Sequence, residues 1–410
     1  MAREIEERLI GTHQLKLGMF VCRLDRPWVG MPFGMQGFRI ASIEQIQMLR
    51  ELCNDVYIDL VKSSGAYTPP VRGKQVAPQE KERIGPLRPT NYVDTATAEE
   101  EIPRAREAQQ NAEALASKIL ADVRAGRPLN SQDVVDTVMP IVASVVRSAD
   151  AFFWVNCLRR RDSYAYSHAI TCSALATAFG RHMGFPEKDL VALATGGLLF
   201  DIGKAVLPDK LLEHAGPLTD AEFRESRKHV GYSMRILKEL GVIDPAIARM
   251  VGTHHERYDG SGYPDGLKGN HIPLFGRMAA VIDSFDAMTS ERPHKKAQSR
   301  HEALQQLYRC SDVLYQREIV EQLTQCLGVY PTGSLVELNT GEVAIVMAQN
   351  RARQLRPRVM MLTSADKELN PGFPQFDLMN QAENDAQYQV GIVRVLEPGS
   401  YGLDPAELFL

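Results

Sequence analysis

The run Gly196-Gly-Leu-Leu-Phe200 ends in an aspartate, Asp201. An apolar helical face of this kind has to be packed, and packing it takes the carboxylate out of water. A buried carboxylate is tolerated where a metal ion or a partner compensates its charge. Asp283 raises the same demand inside Ala279-Ala-Val-Ile-Asp283. Histidines recur at helix ends or beside apolar faces of the same stretch: His168 in YSHAI, His229 in RKHVG, His254 and His255 in VGTHHE. One such histidine would be an ordinary core residue. Together, the six side chains point to a site.

Imidazole and carboxylate donors suit Mn, Fe or Zn. Two divalent ions about 3.5–4 Å apart can activate a bridging water and clamp phosphoryl oxygens, which is what phosphodiester hydrolysis near neutral pH requires. The chemistry expected of His168, Asp201, His229, His254, His255 and Asp283 is therefore metal-assisted hydrolysis.

The rest of the chain reads as a multi-domain protein with a mainly α core, a small N-terminal α+β domain and a small C-terminal β-rich appendage. Residues 1–61 carry the β-prone Gly18–Cys22, a capping box at Ser42-Ile-Glu-Gln45, a helix ending near Cys53 and a closing strand at Val56–Leu60. Pro, Gly, Ser and charge dominate 62–101, which predicts a flexible linker. Connecting helices follow over 102–160, one starting near Pro103 and one after Asn130 or Ser131, the second kinked at Pro140. Helix follows helix over 161–328, with capping boxes at Thr219–Glu222 and Ser299–Glu302. Over 329–410, two strands flank the turn Asn339-Thr-Gly341.

Among the 410 residues, 44% are hydrophobic and 24% charged, with a formal net charge of -4. That balance describes a globular protein without a positive field to recruit DNA or anionic lipid. Six cysteines without a CxxC pair read as free thiols in a reducing compartment. The N-terminus has no apolar signal core and no run approaches about 20 apolar residues, so no membrane segment and a cytoplasmic location are expected.

The motif order resembles that of the HD-GYP family, a branch of the HD phosphohydrolases. Asp162, Tyr164 and His168 match its opening motif, and Asp201-Ile-Gly-Lys204 the second half of its HD signature. Lys228-His229 and Gly231 match the next histidine motif, and His254-His-Glu-Arg-Tyr-Asp-Gly-Ser-Gly-Tyr-Pro264 the block that names the family. Asp283, Asp286-Ala287, Arg292, Pro293 and Lys295 complete the series. The resemblance implies a core of five to seven helices, two divalent ions (Fe, Mn or another transition metal) and hydrolysis of cyclic di-GMP to pGpG or GMP. It gives Asp201 a bridging role, His168 and Asp283 to one ion, and His229, His254 and His255 to the other. Asp201 and Lys204 would be catalytic, with Lys204, Tyr263, Arg292 and Lys295 on the substrate. The GYP loop would offer a base, or a partner protein, a stiff edge at Tyr263-Pro264.

This chain departs from the family pattern at Phe200, where the signature has histidine. The first metal then loses a nitrogen ligand, with water to fill the vacancy and one ion left in dilute metal. A catalytically weak or inactive protein that binds cyclic di-GMP is the competing reading. His294 replaces a usual tyrosine, and Tyr164 stands where a three-metal subset has a carboxylate, which limits the ions to two.

The N-terminal segment resembles a domain of unknown function found ahead of HD-GYP modules. Trp28, Phe33 and Phe38 are assigned to its core, and Arg159-Arg-Arg161 to a solvated turn. His13, His182, His214, His271 and His301 are read as structural. The Ala-rich helix from Pro103 to Gly126 suits a homodimer contact or an intramolecular brace equally.

Overall fold

The computed structural model describes residues 7–24, 38–53, 55–60, 62–63, 84–158, 164–212, 216, 218–240, 244–291, 296–350, 353–380 and 389–408. Two compact units divide between Arg83 and Ile84.

The first unit contains β1 (Glu7–Gly11), β2 (Phe20–Leu24), β3 (Phe38–Arg39), α1 (Ile43–Leu52) and β4 (Asp55–Asp59). Its antiparallel sheet runs β1-β4-β2-β3. The last strand in sequence is thus an inner one, and Val56 and Ile58 point into the core with Val21 and Leu49. Ser42 and Gln45 close a capping box on α1, each side chain taking the other's backbone N–H. Phe38 packs against this core, while Trp28 and Phe33 lie outside the described residues.

Residues 84–97 correct the linker expected over 62–101. Thr90 N–H donates to Gly184 O at 2.8 Å, the Tyr92 hydroxyl to Phe185 O at 2.9 Å, and Arg181 Nη2 to Asp94 Oδ1 at 2.6 Å. Composition gave this stretch little apolar area to bury, but backbone groups and one ion pair fasten it to the helical unit. Residues 64–83 of that linker lie outside the described residues.

The helices of the second unit are α2 (Ala98–Arg124), α3 (Ser131–Arg147), α4 (Ala151–Cys157), α5 (Tyr164–His182), α6 (Glu187–Leu199), α7 (Asp209–Leu212), α8 (Asp220–Arg227), α9 (His229–Glu239), α10 (Pro245–Thr253), α11 (Leu274–Thr289), α12 (Arg300–Arg309) and α13 (Arg317–Leu327). α2 starts earlier than the periodicity suggested because Thr97 and Glu100 form a capping box ahead of Pro103. α3 runs on through Pro140 after its Asn130 cap. A large apolar core joins these helices, with Ile170, Phe179, Leu193, Leu199 and Phe200 fully enclosed.

The pair α5 and α6 carries the site, and glycines set its spacing. A Cβ on Gly197 would fall 2.7 Å from the Cys172 carbonyl oxygen, and one on Gly196 2.4 Å from Met250 Sδ. At Gly197 any larger residue would push α6 off the α5 backbone and displace Asp201, and at Gly196 it would force the Met250 side chain to move.

The C-terminal strands β5 (Leu335–Leu338), β6 (Val343–Ala348), β7 (Arg358–Met361), β8 (Gln375–Asp377) and β9 (Ile392–Val395) precede a short α14 (Pro405–Leu408). The sheet order is β8-β7-β6-β5-β9, so the expected β-rich appendage is present. Trp154 of α4 packs with Leu335, Val343 and Ile345 of that sheet.

Among the described residues no single helix is long and apolar enough to cross a membrane. The pair α3 and α4 passes only by length and composition, and it bends by 118° at its break.

Candidate metal centre

The six residues come from five places in the chain, and each is set by local structure. His168 is on α5, Asp201 on the turn after α6, and His229 is the first residue of α9. His254 and His255 follow α10, and Asp283 is on α11.

The Asp201 turn is fastened to α9 by Ser233. Its hydroxyl donates to Phe200 O at 2.8 Å and accepts Gly203 N–H at 2.8 Å. The glycine is required, because a Cβ at Gly203 would sit 2.1 Å from the His229 carbonyl oxygen. This explains the D-x-G-K spacing. Aspartate and lysine face the site three residues apart, and only glycine admits α9 behind them.

Tautomers follow from hydrogen-bond partners. His229 Nδ1 lies 2.7 Å from Ser226 O and His254 Nδ1 2.7 Å from Val251 O. A carbonyl oxygen only accepts, so both Nδ1 atoms carry the proton, and in the neutral rings both Nε2 atoms present lone pairs. Those two Nε2 atoms face each other at 3.4 Å. They lie 3.2 Å and 3.6 Å from Asp201 Oδ1, which is buried and accepts no hydrogen bond. Two imidazole lone pairs and a carboxylate oxygen around one point repel unless a cation lies between them. His255 completes this donor set, its ring centroid 4.9 Å from that of His229, and the four donor atoms fall within 4.8 Å of one another.

On the other side of Asp201, His168 Nε2 lies 3.2 Å from Asp201 Oδ2 and 3.4 Å from Asp283 Oδ1. His168 Nδ1 donates to Asp286 Oδ2 at 2.6 Å, which directs Nε2 at the two carboxylates. A carboxylate behind a histidine is the usual way to orient a metal-binding imidazole and raise its basicity. His168, Asp201 and Asp283 form a second donor set sharing Asp201 with the first. Donor chemistry, tautomers and the orphaned oxygen all fit divalent ions.

The electrostatics agree. Burial pushes the Asp201 carboxyl up, but the Lys204 charge and contacts with His168, His229 and His254 outweigh it and hold it well below the carboxylate range. Burial likewise opposes ionisation of Asp283, and His168 and His255 overcome it. His255 is driven well below its ordinary value by burial and by His254. The site is thus arranged as anionic carboxylates and a neutral His255, the protonation states that bind metals. Cys172 also lies near His168 and Asp286, but burial pushes its thiol up to about 12. In the metal-free site it is therefore protonated.

Phe200 is packed into the wall of the site. The ring is fully enclosed, stacks on His254 at 4.7 Å and 16° and stands edge-on to His168 at 5.8 Å. A phenyl ring is packed where the family has an imidazole. Burying an aromatic ring is itself stabilising, so the substitution seals this wall of the site.

Of the remaining sequence candidates, Lys204 Nζ contacts Asp201 Oδ2. Tyr263 stacks on His255 at 4.7 Å and 29°, and burial raises its phenol further above its ordinary range, so it remains protonated. Arg292 and Lys295 lie outside the described residues, as do His294, Asp162, Arg159-Arg-Arg161 and His214. His182 bonds Gln322 and His301 the Val329 carbonyl.

The sequence reading named Asp286 and Glu256 within the motifs but gave neither a role. Asp286 orients His168; its spacing of three from Asp283 on one helix was the available signal. Glu256 is buried and accepts N–H bonds from Asp265 at 2.8 Å and Leu267 at 2.9 Å, which pins the GYP loop beside the histidines. A glutamate directly after His254-His255 was the sign.

A helical unit with histidine and aspartate donors converging across five of its segments defines the HD domain, and residues 154–319 match that family. Residues 7–134 match a domain of unknown function (DUF3391) and 335–401 a KOW domain associated with HD domain. A cyclic di-GMP phosphodiesterase of Pseudomonas aeruginosa is 34% identical over 359 residues, covering 87% of this chain and 85% of the relative. A cyclic di-GMP phosphodiesterase of Thermotoga maritima is 38% identical over 164 residues, 39% of this chain and 44% of its own. A 3'3'-cGAMP-specific phosphodiesterase of Vibrio cholerae is 34% identical over 144 residues, 35% of this chain and 31% of its own. The chain belongs to the HD-GYP family of the HD superfamily.

Proposed function

We propose that this protein is a metal-dependent phosphodiesterase that hydrolyses cyclic di-GMP to pGpG, GMP or both. The observation that carries the reading is the buried Asp201 Oδ1, without a hydrogen bond, faced by the Nε2 lone pairs of His229 and His254. The names of the relatives favour a cyclic dinucleotide as the substrate.

In this reading Asp201, His229, His254 and His255 hold one ion, and His168, Asp201 and Asp283 the other. Two divalent ions supply an activated water and neutralise phosphate charge. Asp286 and the Ser226 and Val251 carbonyls keep the imidazoles aimed. Lys204 keeps Asp201 ionised and provides positive charge beside the scissile phosphate, aided by Arg292 and Lys295. Glu256 fixes the loop that bears Tyr263, whose ring forms a wall of the substrate pocket. The enclosed Phe200 keeps water off one side, so the fixed charges act at full strength.

Incubation of the purified protein with Mn²⁺ or Fe²⁺ and cyclic di-GMP tests the reading. Appearance of pGpG or GMP above a metal-free control is expected, and its absence at millimolar metal overturns catalysis. Phe200 favours a second reading, a cyclic di-GMP-binding protein with little or no turnover that docks partners through the GYP loop. Tight binding of the intact dinucleotide under the same conditions would select it.

A further inference from the structure

Beside the histidine cluster, one group of side chains has no part in holding metal. Phe223 and Arg227 are four residues apart on α8, one turn before His229. The Arg227 guanidinium carbon lies 4.3 Å from the Phe223 ring centroid and 4.6 Å from that of Tyr263. Phe223 meets Tyr263 edge-on at 6.5 Å, and Tyr263 stacks on His255. A continuous column therefore runs from a donor of the centre to the surface: His255, Tyr263, Arg227, Phe223. Its outer end is 44% exposed, an unusual place for phenylalanine on a helix whose other residues, Ala221 apart, are polar or charged, DAEFRESR.

We infer that Phe223 and Arg227 form a purine-binding ledge that holds one guanine base of the substrate beside the metal centre. The inference rests on the phosphodiesterase reading and names a specificity determinant within it. Nucleobases stack on exposed aromatic rings and arginine planes. An arginine fork also distinguishes guanine, whose O6 and N7 both accept, from adenine, whose N6 donates. Phe223 supplies the stacking face. Arg227, its plane held by two aromatic rings, supplies donors at the edge of the base. The phosphate next to that base is thereby directed toward Lys204 and the donor sets, since Tyr263 belongs to both the ledge and the pocket wall.

The alternative is that this cluster only braces the GYP loop. The two roles separate when a substrate without purine bases is used. Full-length wild type and the variants Phe223→Ala, Phe223→Trp, Arg227→Ala and Arg227→Lys are assayed with Mn²⁺ on cyclic di-GMP, cyclic di-AMP and bis(p-nitrophenyl) phosphate. Binding of cyclic di-GMP is measured separately in an Asp201→Asn background.

For Phe223→Ala, kcat/KM on cyclic di-GMP is expected to fall about tenfold further than on the base-free diester, mainly through KM, with a parallel loss of binding. Phe223→Trp should restore most of it. Arg227→Ala should narrow the preference for cyclic di-GMP over cyclic di-AMP by about tenfold, and Arg227→Lys, which lacks the planar fork, should not restore it. Equal losses on all three substrates, or no loss, overturn the ledge alone. A wild-type protein that hydrolyses the base-free diester but neither binds nor cleaves cyclic di-GMP overturns the substrate reading and the ledge with it.

Discussion

The two sides of Asp201 are built differently. On one side three imidazoles surround Oδ1, and backbone carbonyls fix the tautomers of His229 and His254. Helix geometry holds that arrangement. On the other side the donors are one histidine and two carboxylates, with His168 Nδ1 donating to the Asp286 side chain. Phe200 stands edge-on to His168 at the position where the family has another nitrogen donor. The imidazole-rich side is thus complete. Against the family pattern, the carboxylate-rich side has one nitrogen donor fewer, because Phe200 stands at that position. Under the proposed two-ion reading, this difference means that the ions would be held unequally, tightly on the imidazole side and weakly on the other.

Asp201→Ala should have the largest effect, because both sides use this residue. Ion-derived stabilisation of several kcal/mol, at about 1.4 kcal/mol per decade of rate, gives a loss of at least about a thousandfold. Metal content should fall on both sides, as measured by elemental analysis after desalting. A variant that still retains metal at the wild-type ratio would show that the two sets do not share this ligand.

His254→Ala tests the inequality itself. It removes a donor from the tighter side, so turnover is expected to drop by about a hundredfold. His168→Ala should cost less, because it acts on an ion already weakly held. Titration of each variant with Mn²⁺, following turnover, checks the order. If His168→Ala proves the more damaging, the comparison between the sides is inverted.

Phe200→His acts in the opposite direction. A donor restored to the weak side should raise the metal-to-protein ratio from near one toward two in dilute metal and raise turnover there about tenfold. The gain should shrink as metal saturates. A gain that persists undiminished at millimolar metal would assign Phe200 some effect besides ligand loss, such as its stacking on His254.

The sequence disclosed this centre unevenly, for physical reasons. Asp201 and Asp283 were legible because each interrupts an apolar run, and burial of a charge has few solutions. The paired histidines and the Gly-rich block were legible because their local order is so restrictive. Asp286 and Glu256 were harder to see, since their value lies in what they touch: an imidazole from α5 and a loop nine residues ahead. Contacts across the fold leave no trace in local periodicity. Phe200 was visible as a missing donor, but whether its position would be wet or sealed depended on how α6 packs. The packing on α5 and α10 is governed by Gly196 and Gly197. The stretch from Ile84 to Thr97 was misread because composition reports on side-chain burial, and its attachment is largely through backbone groups and the Asp94–Arg181 pair. In the fold, helices and the C-terminal hairpin followed from periodicity and turn residues, whereas the sheet order of the first unit, with its last strand inside, did not.

The smallest effect is expected at Asp286, and it bears on why the weak side is weak. Asp286→Asn keeps an oxygen that accepts the His168 Nδ1 proton, so the ring stays aimed, but it removes the negative charge that makes Nε2 a stronger donor. Residues behind metal-binding histidines contribute roughly ten- to a hundredfold in affinity, and with the hydrogen bond retained the lower end, about tenfold, is expected here. The loss should appear as a higher Mn²⁺ requirement for turnover and nearly vanish at saturating metal. Combining it with Phe200→His sharpens the point, since both act on the same ion: the added donor should offset part of the loss, and the two effects should not sum. Strict additivity would mean that Phe200 and Asp286 influence different ions, and that the division of the centre at Asp201 is drawn in the wrong place.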